Sequence, residues 1–67
     1  MAHRPARTYL VTNSGPLFGA RRITFRSSAP AGAVVRLDVD GRPVRALLTD
    51  TPLNGGLLAA ELEITYL

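Results

Sequence analysis

The sequence contains no cysteine, no lysine, no tryptophan and a single histidine, His3. Without cysteine it has no disulfides and no thiolate metal ligands, and one histidine does not form a histidine metal cluster. A chain of 67 residues buries only about 60% of its unfolded surface, so its stability is marginal without disulfides or a bound metal. We therefore predict no metal and no cofactor, and expect support from partner chains or from very good packing.

Long apolar runs are also missing. No stretch approaches the roughly 18 residues that cross a membrane, and no apolar segment follows Met1–Arg7 as in a secretory signal. The apolar share of 46% is typical of a folded domain. We expect a complete cytoplasmic protein with no membrane partner and no small-molecule substrate. Residues 1–7 are predicted to form a basic flexible arm and residues 8–67 a single β domain.

All eight basic residues are arginines, and the formal net charge is +3. Exclusive use of arginine has two explanations. A GC-rich genome replaces lysine codons, or the protein uses the planar guanidinium to bind phosphate or carboxylate. Both explanations stay open from the sequence.

Short alternating segments dominate the chain, and no segment is typical of a helix. Each is rich in β-branched or aromatic residues and ends at a cluster of Gly, Pro, Asn, Asp or Ser. Five strands are predicted: Thr8–Thr12, Arg22–Arg26, Ala33–Val39, Arg42–Thr49 and Leu57–Leu67. This pattern predicts an all-β fold of about five short antiparallel strands, either a small SH3-like or OB-like barrel or a compact sandwich, with an open oligomerising sheet as the alternative.

The pair Asp40-Gly41 is the strongest local signal. Between two alternating strands it indicates a two-residue type I′ hairpin turn, because both central positions need a positive φ. The turn predicts that Leu37 faces Val44 on an apolar side and that Arg36 faces Arg45 on the other side. Since Pro43 lacks an N–H, the start of the fourth strand is expected to be unpaired on one side.

The last predicted strand alternates most regularly near the C-terminus. Leu62, Ile64 and Tyr66 fall on the inward phase, and Glu61 and Glu63 on the outward phase. A strand that ends a chain usually lies at a sheet edge or pairs with another molecule, so this segment also favours assembly.

Catalytic chemistry is hard to build from these residues. The five carboxylates fall in turns or on outward strand positions, and the serines have no histidine beside them. The glycine-bearing loops neither open a helix nor carry a Walker lysine. We therefore predict that the protein is not an enzyme.

Two surfaces remain as candidate sites. The first is a basic patch for nucleic acid or another anion, formed by Arg21, Arg22, Arg26, Arg36 and Arg45. The alternative is that Asp38, Glu61 and Glu63 neutralise the outward arginines across neighbouring strands. Stacking aromatics, which nucleic-acid-binding barrels usually present, are scarce on the outward phase.

The second surface is a protein interface made of apolar residues expected on the outside: Leu17, Phe18, Val34, Leu47 and Leu57. Leu17 and Phe18 lie in one loop and either anchor a partner or fold back as a barrel plug. The first hypothesis is a non-enzymatic assembly or interaction subunit, in a homo-oligomer or a larger protein complex. The second is a small basic β-barrel that binds nucleic acid.

Overall fold

Five strands and one helical turn make up the described part of the molecule. The computed structural model describes residues 5–19 and 21–63, and all structural statements refer to these residues. Its elements are β1 Arg7–Val11, α1 Gly15–Phe18, β2 Thr24–Ser27, β3 Val34–Val39, β4 Arg42–Leu53 and β5 Leu57–Leu62. The strands form one curled mixed sheet, a half-barrel, which confirms the predicted small all-β fold.

The strand order in the sheet is β2-β1-β5-β4-β3. Three neighbouring pairs are antiparallel, as predicted, but β1 and β5 run parallel. No hairpin turn connects β1 to β5, so local turn chemistry does not determine their relative direction. The order leaves β2 and β3 at the two edges of the sheet.

The hairpin between β3 and β4 has the predicted turn and register. Asp40 has φ 55° and Gly41 has φ 78°, as a type I′ turn requires. Leu37 pairs with Val44, and Asp38 pairs with Pro43. The first residues of β4 pair with β3, and the residues that would follow β5 along them lie outside the described part of the chain, so the one-sided pairing expected from the proline stays a prediction.

Strand boundaries differ from the prediction at two places. β4 continues to Leu53, and its pairing with β5 shifts between Leu48 and Pro52, where the Thr49 hydroxyl donates to the Ala59 carbonyl at 2.7 Å. β2 begins only at Thr24, although Ile23 is buried and its carbonyl accepts a hydrogen bond from Val11 N–H at 2.9 Å. An irregular pairing of this kind has no signal in the alternation of side chains.

Two predicted segments extend past the described residues. Residues 1–4 of the predicted arm lie outside the described structure, and its last residue, Arg7, begins β1. The predicted inward residues Ile64 and Tyr66 also lie outside the described residues. No helix in the described ranges is long and apolar enough to cross a membrane.

The core lies on the concave face of the sheet. Tyr9 and Leu48 are each 1% exposed, and the Tyr9 ring stacks on Phe25 with the ring centroids 5.5 Å apart. Buried residues of this core are Tyr9, Val11, Ile23, Ala46, Leu48, Ala60 and Leu62. Towards the β3 edge the inward side chains of Val35, Leu37 and Val39 are only half-buried. The half-barrel therefore leaves apolar surface incompletely covered on that side.

Candidate functional site

The outer face of the β3–β4 hairpin carries two cross-strand pairs. Val34 lies opposite Leu47, and Arg36 lies opposite Arg45. We call these four residues the outer hairpin face. Directly opposed residues of this kind have Cβ atoms about 5 Å apart, close enough for the two guanidinium groups to repel each other. Val34 is 47% exposed, and both arginines are exposed.

The acidic side chains near this face form no ion pair with the arginines. Among residues 5–19 and 21–63, an ion pair joins Arg21 to Asp40, and none involves Arg36 or Arg45. Glu63 N–H donates to the Arg45 carbonyl at 2.9 Å, which brings Glu63 into register with Arg45. Among the described residues, the neutralisation of Arg36 and Arg45 expected from the sequence is therefore not made by an ion pair.

The remaining arginines of the predicted basic patch lie elsewhere. Arg26 is on the outer face of β2, opposite Thr8, and two strands separate β2 from β4 in the sheet. Arg21 and Arg22 are exposed and precede β2. The structure thus places Arg36 opposite Arg45, whereas Arg26 lies on β2, and Arg21 and Arg22 line a groove with Asp38 at the end of β3.

A shallow groove lies where the hairpin tip approaches α1. It has a volume of about 370 Å³ and is lined by Phe18, Arg21, Val39, Asp40 and Arg42. The guanidinium carbon of Arg42 lies 5.7 Å from the centroid of the Phe18 ring, a cation–π distance. Phe18 is half-buried and packs against the core, as expected if it plugs the end of the barrel.

Sequence reasoning did not single out Arg42 or Asn13. Arg42 contacts the ring of Phe18 in α1, which is far away in the sequence, so no local pattern could indicate it. Asn13 was assigned to a turn, but its side-chain amide bonds both backbone groups of Leu62. Only the tertiary structure brings these residues to their partners.

The other predicted interface residues have mixed surroundings. Leu57 is half-buried and pairs with Leu53 of β4, so part of its apolar surface is already covered. The side chain of Leu17 lies outside the described part of the structure. Val34, which is exposed, and Leu47, which is half-buried, lie opposite each other on the outer hairpin face.

Metal-ligating side chains form no cluster in residues 5–19 and 21–63. No group of three or more His, Cys, Asp or Glu residues is placed to hold a metal ion there. Comparison of the chain with family models, with curated proteins and with solved structures found no match.

Proposed function

We propose that this protein is a non-enzymatic assembly module, a subunit of a homo-oligomer or of a larger protein complex in the cytoplasm. The observation that carries the proposal is the incomplete half-barrel. Its inward apolar residues on β3 are half-buried, while Val34 is exposed on the other side of the same strand. A small chain without disulfides gains stability when a partner covers such surface.

The charges of the outer hairpin face support a partner with acidic groups. Arg36 and Arg45 repel each other across the hairpin, and a carboxylate placed between them would convert this repulsion into two charge-assisted hydrogen bonds. Arginine is itself enriched at protein interfaces, and an aliphatic part beside it gives a partner apolar surface to cover. Val34 and Leu47 supply that aliphatic part.

The test is affinity purification of the tagged full-length chain under native conditions, with native mass spectrometry of the material that is recovered. We expect the chain to be recovered with further copies of itself or with a protein in fixed stoichiometry. Val34→Asp should reduce recovery, whereas Thr24→Asp, a matched change at an exposed position of β2, should not. A strict monomer that recovers no protein in fixed stoichiometry would overturn the proposal.

The second candidate function is nucleic-acid binding, which the exposed Arg36–Arg45 pair favours. Two guanidinium groups without an ionic partner in the described residues can each contact a phosphate. The described aromatic residues offer little support for nucleic-acid binding, because their rings are engaged in contacts within the protein. Tyr9 and Phe25 stack on each other on the core side, and Phe18 is covered by Arg42. Binding would therefore depend on phosphate contacts with little base stacking.

Fluorescence anisotropy with duplex and single-stranded oligonucleotides at several salt concentrations tests this second function. Phosphate contacts predict a log–log slope of about −0.9 per contact on duplex DNA. Replacing both Arg36 and Arg45 with Gln should make the slope less steep by the contribution of about two phosphate contacts. Arg26→Gln serves as a control distant from the pair. Absence of binding at low salt would eliminate nucleic acid as the partner.

A further inference from the structure

Strand β3 is the longer of the two open edges of the sheet. It has six residues, Val34–Val39, whereas β2 at the other edge has four. Its sequence contains no proline, and its pairing with β4 is regular along its whole length. Proteins usually protect a long edge with proline, a bulge or repeated lysines, because unpaired backbone groups there can pair with another chain. β3 has neither a proline nor a bulge, and its two charged side chains, Arg36 and Asp38, have opposite signs and can attract a second copy of the same strand.

The hydrogen-bonding phase of β3 follows from its contacts with β4. The Ala33 carbonyl accepts from Leu48 N–H at 2.9 Å, and the two-residue turn makes Val39 and Arg42 a hydrogen-bonded pair. Since the pattern alternates, the odd-numbered residues of β3 bond to β4. The backbone groups of the even-numbered residues therefore point away from the sheet. These residues are Val34, Arg36 and Asp38.

Resting on the proposed assembly function, we infer that β3 pairs with β3 of a second copy, antiparallel, about a two-fold axis at Leu37. In this register Arg36 lies opposite Asp38 of the second copy, and the same pair forms again across the axis. Leu37 faces its own counterpart, and Val35 faces Val39. Opposite charges then meet on the outer face and apolar side chains on the inner face.

Other two-fold registers are less favourable. Residues that lie opposite each other in a sheet point to the same face. The outer faces of the two copies therefore form one continuous face only if outward residues pair with outward residues and inward residues with inward ones. An axis at Arg36 places two arginines opposite each other, and an axis at Asp38 does the same with two aspartates. An axis at Val35 pairs Val34 with Arg36 and shortens the ladder. The axis at Leu37 alone joins Arg36 to Asp38.

In the described sheet β3 pairs with β4 alone, so no strand lies on its other side. Residues Arg21–Thr24 lie across a groove of about 300 Å³ from Asp38–Asp40, where Arg21 forms an ion pair with Asp40, so the second copy would enter at this groove. Pairing at Leu37 would cover the half-buried apolar residues of β3 from the open side. The carboxylate of Asp38 from the second copy would also reduce the repulsion between Arg36 and Arg45. The joined sheet would have ten strands, twice the five of one copy.

Charge reversal and charge exchange test the register directly. Sedimentation velocity over a concentration series would be measured for the full-length wild type, Arg36→Asp, Asp38→Arg and the double variant with both changes. We expect a wild-type dimer, roughly tenfold weaker dimerisation in each single variant, and recovery in the double variant, since both charge pairs reform with opposite sign. Arg26→Asp makes the same charge change on β2 and should leave the dimer unchanged.

The outcomes separate this inference from the proposed function. Circular dichroism would confirm that each variant is folded, and Arg36→Asp is expected to fold well because it removes a like-charge pair. An oligomer that is insensitive to both single changes would overturn pairing at β3 while leaving assembly intact. A wild-type monomer at every concentration would overturn the β3 dimer, and co-purification would then decide whether the chain assembles with other proteins.

Discussion

The side-chain amide of Asn13 bonds both the N–H and the carbonyl of Leu62. Its Nδ2 donates to the Leu62 carbonyl at 3.0 Å, and its Oδ1 accepts from Leu62 N–H at 2.7 Å. Asn13 follows the end of β1, so the side chain continues the β1–β5 ladder beyond that strand. This relationship joins residues 49 positions apart in the chain.

Asn13→Ala should therefore destabilise the fold by about 1–3 kcal/mol, because the N–H and the carbonyl of the buried residue Leu62 lose their partners. Urea denaturation monitored by circular dichroism measures the effect. Asn54→Ala is the matched control, since Asn54 is exposed in the turn between β4 and β5. Equal stability losses for the two variants would contradict a structural role for the Asn13 amide.

The Arg36–Arg45 pair predicts that charge reversal stabilises the monomer. Arg36→Glu places a carboxylate opposite Arg45 and should raise the free energy of unfolding by roughly 0.2–1 kcal/mol. Arg45→Glu should stabilise less, because the new carboxylate also comes into register with Glu63. Denaturation of dilute protein at low and high salt checks this. A gain that does not decrease with salt would not be electrostatic.

The type I′ turn predicts a backbone penalty at Gly41. A Cβ at Gly41 would meet no atom within 4 Å, so Gly41→Ala tests the cost of φ 78° and not a steric clash. We expect a loss of about 1–2 kcal/mol in thermal or urea unfolding. Gly15 has equally open surroundings without a positive φ, so Gly15→Ala should cost less than about 0.5 kcal/mol. Similar losses at both positions would mean that the turn conformation is unimportant for stability.

Leu47 and Leu48 are adjacent on β4, but replacing them with alanine should have different effects on stability. Leu48 is 1% exposed in the core, so Leu48→Ala should cost about 2–5 kcal/mol, a large part of the stability of so small a domain. Leu47 is half-buried on the outer face, so Leu47→Ala should cost at most about half as much while it weakens recovery of a partner. Thermal unfolding and native pull-down of both variants measure the two effects. A larger loss of stability for Leu47→Ala than for Leu48→Ala would mean that the core lies on the face of β4 that carries Leu47.

The residues of the candidate surfaces were only partly predictable. The opposition of Arg36 to Arg45 and of Val34 to Leu47 follows from a two-residue turn, which determines the register of its own strands. The position of Arg26 relative to that pair depends on the strand order, and no local rule determines it. The cation–π contact between Arg42 and Phe18 depends on the same long-range arrangement.

The sequence by itself determined the all-β class, the β3–β4 hairpin and the faces of its side chains. These features depend on backbone preferences and on alternation within a few residues, as at Asp40 and Gly41. Only the tertiary structure decided that β1 lies parallel to β5, that β3 is an open edge, and that Asn13 reaches Leu62. Contacts between residues so far apart in the chain depend on the packing of all five strands at once, and the energy of that packing has no local signature.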